Sequence, residues 1–195
     1  MITKKIPAQD SYEEIINLIM QKINEGIQSF EVDVRETHIR HLSHFEEFLD
    51  LIEREFIEVI FNFESPNLEY LFFPLISDWD LKKQVKYTGK IHPAYLSVRE
   101  RVSVYYNVEN CLPNIYQFET IKRSHFDVIH YFSRKHKVKT LRVHIEALSE
   151  DFLCWAKENE LKLSVVGAES YTQAKELKRL GVTQVTVNES SKLIK

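Results

Sequence analysis

The chain has 195 residues, with 26 basic against 29 acidic side chains and a formal net charge of −3. That length suits one domain of good size and is short for two. The near balance of charge speaks against a protein dedicated to nucleic acid or to an anionic membrane surface, and 44% hydrophobic with 28% charged residues is an ordinary globular composition.

The longest apolar run, Leu71-Phe72-Phe73-Pro74-Leu75-Ile76, falls far short of the ~18 residues of a membrane span. No apolar segment follows Lys4 and Lys5 as it would in a signal peptide. Cys111 and Cys154 show no C-x-x-C spacing and read as reduced thiols, so a cytoplasmic setting is expected. No low-complexity stretch or linker divides the chain, so residues 1–195 are read as a single domain.

In chain order, a short strand is expected at Ile2–Ile6. Ser11-Tyr12-Glu13-Glu14 is a capping box that opens a helix, and Gly26 is placed to stop it. Phe30-Glu31-Val32-Asp33-Val34 alternates with the period of a strand. Ser43-His44-Phe45-Glu46 is a second capping box, and Phe45, Phe48, Leu49 and Ile52 form the apolar stripe of its helix. Phe56 to Phe63 reads as a strand.

Prolines at 66, 74, 93 and 113 punctuate the middle of the chain. There the pattern suggests a short strand near Leu71–Ile76, a helix after His92, and a strand in Val102–Tyr106 or Ile115–Phe118. After Ser124, expected to cap with Asp127, the pattern is regular. A helix through Phe132 leads to a strand at Val138–Ile145, and Ser149 caps the next helix. A strand at Leu161–Val166 follows, then a capping box at Ser170-Tyr171-Thr172-Gln173, a stop at Gly181, and a last strand at Val182–Val187. Strands alternating with helices imply parallel strands and right-handed crossovers. About eight strands can be counted, which predicts a TIM-type (β/α) barrel. It would be trimmed or incomplete, since ~250 residues are typical. An open doubly wound sheet is the alternative.

In such a barrel, chemistry gathers where strands end. Glu31 and Asp33 are two apart and share a face, so they could hold Mg²⁺ or Ca²⁺, which favour carboxylate oxygens. Arg35 is an alternative partner for the pair. His38, His41 and His44 follow that strand and carry imidazoles suited to proton transfer. Glu64 follows the Phe56–Phe63 strand. Arg142 and His144 share one face of a later strand, with Glu146 after it, and Glu169 follows Gly167-Ala168. Dinucleotide, P-loop, nucleophile-elbow and zinc motifs are absent from the sequence.

Ala8-Gln9-Asp10-Ser11, Gly26 and Phe30-Glu31-Val32-Asp33-Val34-Arg35-Glu36-Thr37 resemble the opening of the glycerophosphodiester phosphodiesterase family. His41-Leu42-Ser43-His44-Phe45-Glu46-Glu47-Phe48-Leu49 is similar to the segment before that family's third strand. Leu163 to Glu169, Gln173 to Leu177 and Leu180-Gly181-Val182 look like its last two β/α units.

The resemblance implies a barrel in which a Glu-x-Asp pair holds a divalent cation and two histidines move protons. It assigns metal ligation to Glu31 and Asp33, with Glu64 as a further candidate ligand, and leaves His41 or His44 to stand in for the second histidine; a rearranged site would use His41 or His38 for proton transfer. The sequence departs from the family where Lys5-Ile6-Pro7 replaces a His-Arg pair and where Asn62 replaces an acidic ligand. The reading that follows is a divergent barrel without the usual hydrolytic activity, acting by binding a small phosphorylated ligand or a protein partner. A metal-dependent phosphodiester hydrolase with a rearranged site is the alternative. Val166-Gly167-Ala168-Glu169-Ser170 also resembles a late segment of the EAL-type cyclic-di-GMP phosphodiesterases, which implies a non-catalytic barrel of that type as a further alternative.

Overall fold

The computed structural model describes residues 1–41, 43–81, 83–93, 103–112 and 120–188, and only the backbone of 39–41 and 43. Eight strands run in chain order: β1 (Ile2–Lys5), β2 (Ser29–Val34), β3 (Glu58–Phe63), β4 (Val85–Gly89), β5 (Ser103–Asn107), β6 (Thr140–His144), β7 (Lys162–Ala168) and β8 (Gln184–Val187). They close into a barrel in that order. The described helices are α1 (Tyr12–Asn24), α2 (Ser43–Arg54), α3 (Glu69–Ser77), α4 (Phe126–Lys135), α5 (Glu150–Glu158) and α6 (Tyr171–Arg179). The chain forms two compact units, one holding Thr3–His92 and the other holding Met1–Ile2 and the chain from Val104 onward.

In the N-terminal unit, β1 to β4 are parallel neighbours, and Asp33 stands in register with Asn62 and Phe63 with Gly89. Alternation gives each strand two unlike faces. Phe61, Phe63 and Tyr87 lie on the face that meets the helices. There Phe45 and Phe48 of α2 and Phe72 and Phe73 of α3 pack on them at centroid separations of 4.4–6.0 Å. Aromatic pairs of this kind contribute roughly 0.5–1.5 kcal/mol each beyond area burial. The other face is mostly polar: Ser29, Glu31 and Asp33 on β2, Glu58 and Asn62 on β3 with the buried Ile60 between them, Lys86 and Thr88 on β4. Branched apolar residues usually dominate that face of a TIM barrel. Polar groups so placed need partners. Thr3 and Ser29 hydroxyls meet at 2.7 Å, and Lys86 pairs with Glu58 at 3.3 Å.

The segment Leu71–Ile76, expected as a strand, is helical. Glu69, Phe72, Phe73 and Ile76 are buried while Tyr70, Leu71 and Leu75 are exposed. That spacing is the 3.6-residue period, concealed in the sequence because both faces are apolar. Pro74 lies on the exposed side. The strand position next to β3 is filled by Val85–Gly89, which the sequence reading did not identify. Strand β3 begins at Glu58 because Phe56 takes a positive φ of 51° in the preceding turn. The helix expected after His92 and the alternative strand at 115–118 lie outside the described residues.

In the C-terminal unit, β5 to β8 are parallel neighbours. Leu141, Val143, Leu163, Val165, Val185 and Val187 are buried in one core cluster with Phe126 and Phe152. Ser149 Oγ accepts from Phe152 N at 3.1 Å and Ser170 Oγ from Gln173 N at 3.2 Å, so both expected caps form. Ser124 does not act as the expected cap of α4. A 3-10 turn, Arg123–His125, precedes that helix, and His125 Nδ1 accepts from Lys122 N at 3.1 Å.

Cys111 is buried in the same cluster, which pushes its thiol up to about 12, whereas Cys154 is exposed. The thiolate is the reacting species. Under native conditions one equivalent of an aromatic disulfide reagent is therefore expected to react, at Cys154. Cys111 should follow only in denaturant. Peptide mapping after labelling checks this, and equal labelling of both thiols in the folded protein would refute it.

Candidate functional site

Three strand ends of the N-terminal unit bring polar side chains together. Lys5 is the last residue of β1 and shares a face with Thr3. The register that places Lys5 beside Glu31 lets its ammonium reach Asp33, two residues farther along β2. Lys5 Nζ stands 3.1 Å from Asp33 Oδ2, and Asn62 Nδ2 donates to Asp33 Oδ1 at 2.7 Å. The Asp33 side chain is 4% exposed and that of Lys5 30%. Both carboxylate oxygens of Asp33 are thus engaged within the chain.

One step beyond the strand ends, Arg35 Nε donates to Glu64 Oε2 at 2.6 Å. That hydrogen bond, aided by the nearby charges of Glu64, Asp33 and Asp10, holds the Arg35 guanidinium above its ordinary value despite partial desolvation. Arg35 and Glu64 are each more than a third exposed, so the pair contributes little to stability.

His38 lies in a 3-10 turn, Glu36–His41, and is fully buried. Its Nδ1 accepts from Arg35 N at 2.9 Å and its Nε2 lies 3.0 Å from Gln9 O. A carbonyl only accepts, so Nε2 carries the proton and the ring is the neutral Nε2–H tautomer, assigned from these partners. The ring also packs on Tyr12 at 5.0 Å. Tyr12 is itself buried, which pushes its phenol far above its ordinary value. His38 therefore ties the loop after β1 to the loop after β2.

Of the residues singled out in the sequence, Asp33 meets Lys5 and Asn62, Glu64 meets Arg35, and Glu31 is buried on the Asp33 face of β2. The backbone of His41 ends the turn that holds His38, and its side chain is outside the described residues. Among the described residues, no group of three or more His, Cys, Asp or Glu side chains is arranged to hold a metal ion. Lys5 and Asn62 entered the sequence reading as departures from a motif, and the structure makes them the partners of Asp33. The signal available for this was alternation, since Thr3 and Lys5 must share a face. Among the described residues no helix is long and apolar enough to cross a membrane.

The backbone is similar to several solved structures. Against a glycerophosphodiester phosphodiesterase structure from Galdieria sulphuraria the TM-score is 0.65 at 12% identity, covering 95% of this chain and 92% of that one. Against a glycerophosphodiester phosphodiesterase from Parabacteroides distasonis it is 0.61 at 13% identity, covering 96% and 92%. Against orotidine 5′-phosphate decarboxylase from Thermotoga maritima it is 0.59 at 12% identity, covering 96% and 89%. No family model and no curated relative matches the chain. Likeness at such identity defines the fold, and with the closed order of eight strands the chain is a TIM-type α/β barrel. That the same backbone is shared by phosphodiesterases and a decarboxylase means the fold does not select a chemistry.

Proposed function

We propose that this barrel is a divergent relative of the glycerophosphodiester phosphodiesterases that binds a small phosphorylated ligand without metal-dependent hydrolysis. The observation that carries the reading is the closure of Asp33. Lys5, 3.1 Å away, lies where a cation would approach one oxygen, and Asn62 donates to the other at 2.7 Å. Mg²⁺ and Ca²⁺ take six or more oxygen ligands, and a divalent ion beside Asp33 would also face the Lys5 ammonium. The donor set therefore does not fit such an ion. His38 supports the same reading, because protonating its Nδ1 would set two donors against each other at the Arg35 amide. The ligand class comes from the similar barrels, whose names refer to phosphate-bearing compounds.

Calorimetry with Mg²⁺, Ca²⁺ and Mn²⁺, followed by an assay with a glycerophosphodiester, tests this. The expected result is no saturable heat and no hydrolysis above the buffer rate. Saturable binding together with metal-dependent turnover that Asp33→Asn abolishes would overturn the reading and favour a hydrolase with a rearranged site.

A further inference from the structure

The helices carry two exposed apolar rows that the reading above leaves unused, one in each unit. On α3, Leu71, Pro74 and Leu75 face outward, with Leu71 46% and Leu75 37% exposed. Asp78, the C-cap of that helix, is exposed as well. These four positions follow the i, i+3, i+4, i+7 spacing of one helix face. On α4, Val128 is 48% and Tyr131 67% exposed, and Lys135 continues the row at i+7. Each row therefore runs about 10.5 Å from its first apolar residue to its charge, at 1.5 Å per residue. A lone exposed leucine needs no explanation, whereas apolar residues aligned on one face mark an interaction site.

The two rows end in opposite charges. Asp78 and Asp80 stand at the C-terminal end of α3, which has no basic residue in its last turn. Free carbonyls make that end of a helix negative, so an anion there is disfavoured by about 0.3–1 kcal/mol. Among the described residues no Lys, Arg or His pairs with Asp78 or Asp80. Helix α4 is the reverse, with Asp127 in its first turn and Arg134 and Lys135 in its last. Lys135 Nζ lies 5.8 Å from the centroid of the Tyr131 ring. Among the described residues no Asp or Glu pairs with Arg134 or Lys135. Laid side by side in the same direction, two such helices would set Leu71 and Leu75 against Val128 and Tyr131, and Asp78 against Lys135. The opposite direction would set Asp78 beside Asp127.

We infer that this chain self-associates through α3 of one copy and α4 of a second copy, packed in the same direction, with the apolar rows in contact and Asp78 paired with Lys135 at their end. A second copy is the occupant because the chain supplies both halves of the contact, matched in spacing and opposite in charge. An anionic lipid surface suits α3 poorly, since the carboxylates at its end would be repelled. One pair of helix faces is smaller than the ~800 Å² per partner of a standard complex, so the association is weak and depends on concentration. The inference is independent of the reading of Asp33, because it uses no residue of the strand ends.

Sedimentation velocity of the full chain from about 10 to about 500 µM, a range suited to weak complexes, tests this. The expected result is a sedimentation coefficient that rises with concentration. Lys135→Glu should weaken the association by about threefold to tenfold, because it turns an attraction into a repulsion. Asp78→Lys should weaken it by a similar factor and yet leave the fold at least as stable in urea, because a cation suits that end of a helix. The two substitutions together exchange the signs of the pair and should bring the association back to within about twofold of the unmodified protein. Leu71→Ser, which removes apolar contact alone, should also weaken it. A chain that stays monomeric over the whole range overturns the inference. So does an association that Lys135→Glu leaves unchanged or that the double variant fails to recover. Binding of a monomer to phosphatidylcholine vesicles that Leu71→Ser abolishes would assign the α3 row to a lipid surface and likewise overturn it.

Discussion

Gly89→Ala is expected to destabilise the protein by about 3–5 kcal/mol, from a left-handed backbone cost and a steric cost that add. Gly89 ends β4 with a φ of +93°, and a Cβ there would stand 2.6 Å from Phe63 N and 2.7 Å from Asn62 Oδ1. The neighbour that would have to yield is mainly strand backbone, which cannot move without breaking the β3–β4 register. Gly26 provides the control: its φ is +86°, and nothing lies within 4 Å of its would-be Cβ. Gly26→Ala should therefore cost only the backbone part, about 1–2 kcal/mol. Urea denaturation of the two variants measures the difference. Equal losses would show that crowding at Gly89 is relieved by a small shift and that the strand end is softer than its geometry implies.

Lys5→Met is the second large effect. It leaves the Asp33 carboxylate buried without its counterion, while Asn62 still donates to one oxygen. Breaking a buried pair from one side typically costs 3–5 kcal/mol, and the partial exposure of Lys5 reduces this to about 2–3 kcal/mol. Asp33→Asn should cost only about 1 kcal/mol, because an amide oxygen can still accept from Asn62 and Lys5 can turn to water. The sharper expectation concerns the double variant, Lys5→Met with Asp33→Asn. It has no stranded charge and should be more stable than Lys5→Met alone. A double variant that is less stable would mean that Lys5 acts through packing of its methylenes rather than through Asp33.

Both expectations arise from one trait of the N-terminal unit. Its outer strand face is a tight aromatic layer, and its inner face carries several separate hydrogen bonds and ion pairs around Ile60. A polar interior of this kind is sensitive to the loss of one member, since the others lose their partners in a medium that responds weakly to charge. Such an arrangement is also open to change. Replacing one polar residue by another alters which groups are held and which are exposed at the strand ends, with the outer layer left as it is.

The local elements of the last third were legible in the sequence because there the local signals agree. Ser149 and Ser170 cap helices in the expected way, and β-branched runs mark β6 to β8. Residues 71–76 misled because a helix apolar on both faces carries no visible period, so a buried run in a barrel can be either element. Val85–Gly89 alternates as a strand should, yet the stronger apolar run before it drew the assignment. The two-residue spacing of Glu31 and Asp33 correctly placed both on one face, but spacing along one strand cannot say what stands across from it.

By itself, then, the sequence determined a parallel α/β protein with about eight strands, the helix caps at Ser11, Ser149 and Ser170, and the grouping of Glu31 with Asp33. These depend on periods and contacts a few residues long, which the order of residues encodes directly. The closing of the barrel, the pairing of Lys5 with Asp33 and the locking of His38 between two loops were decided by the tertiary structure. The first two join residues that are neighbours only through strand register, and register is a property of the whole sheet; the third depends on where two strands deliver the loops that follow them.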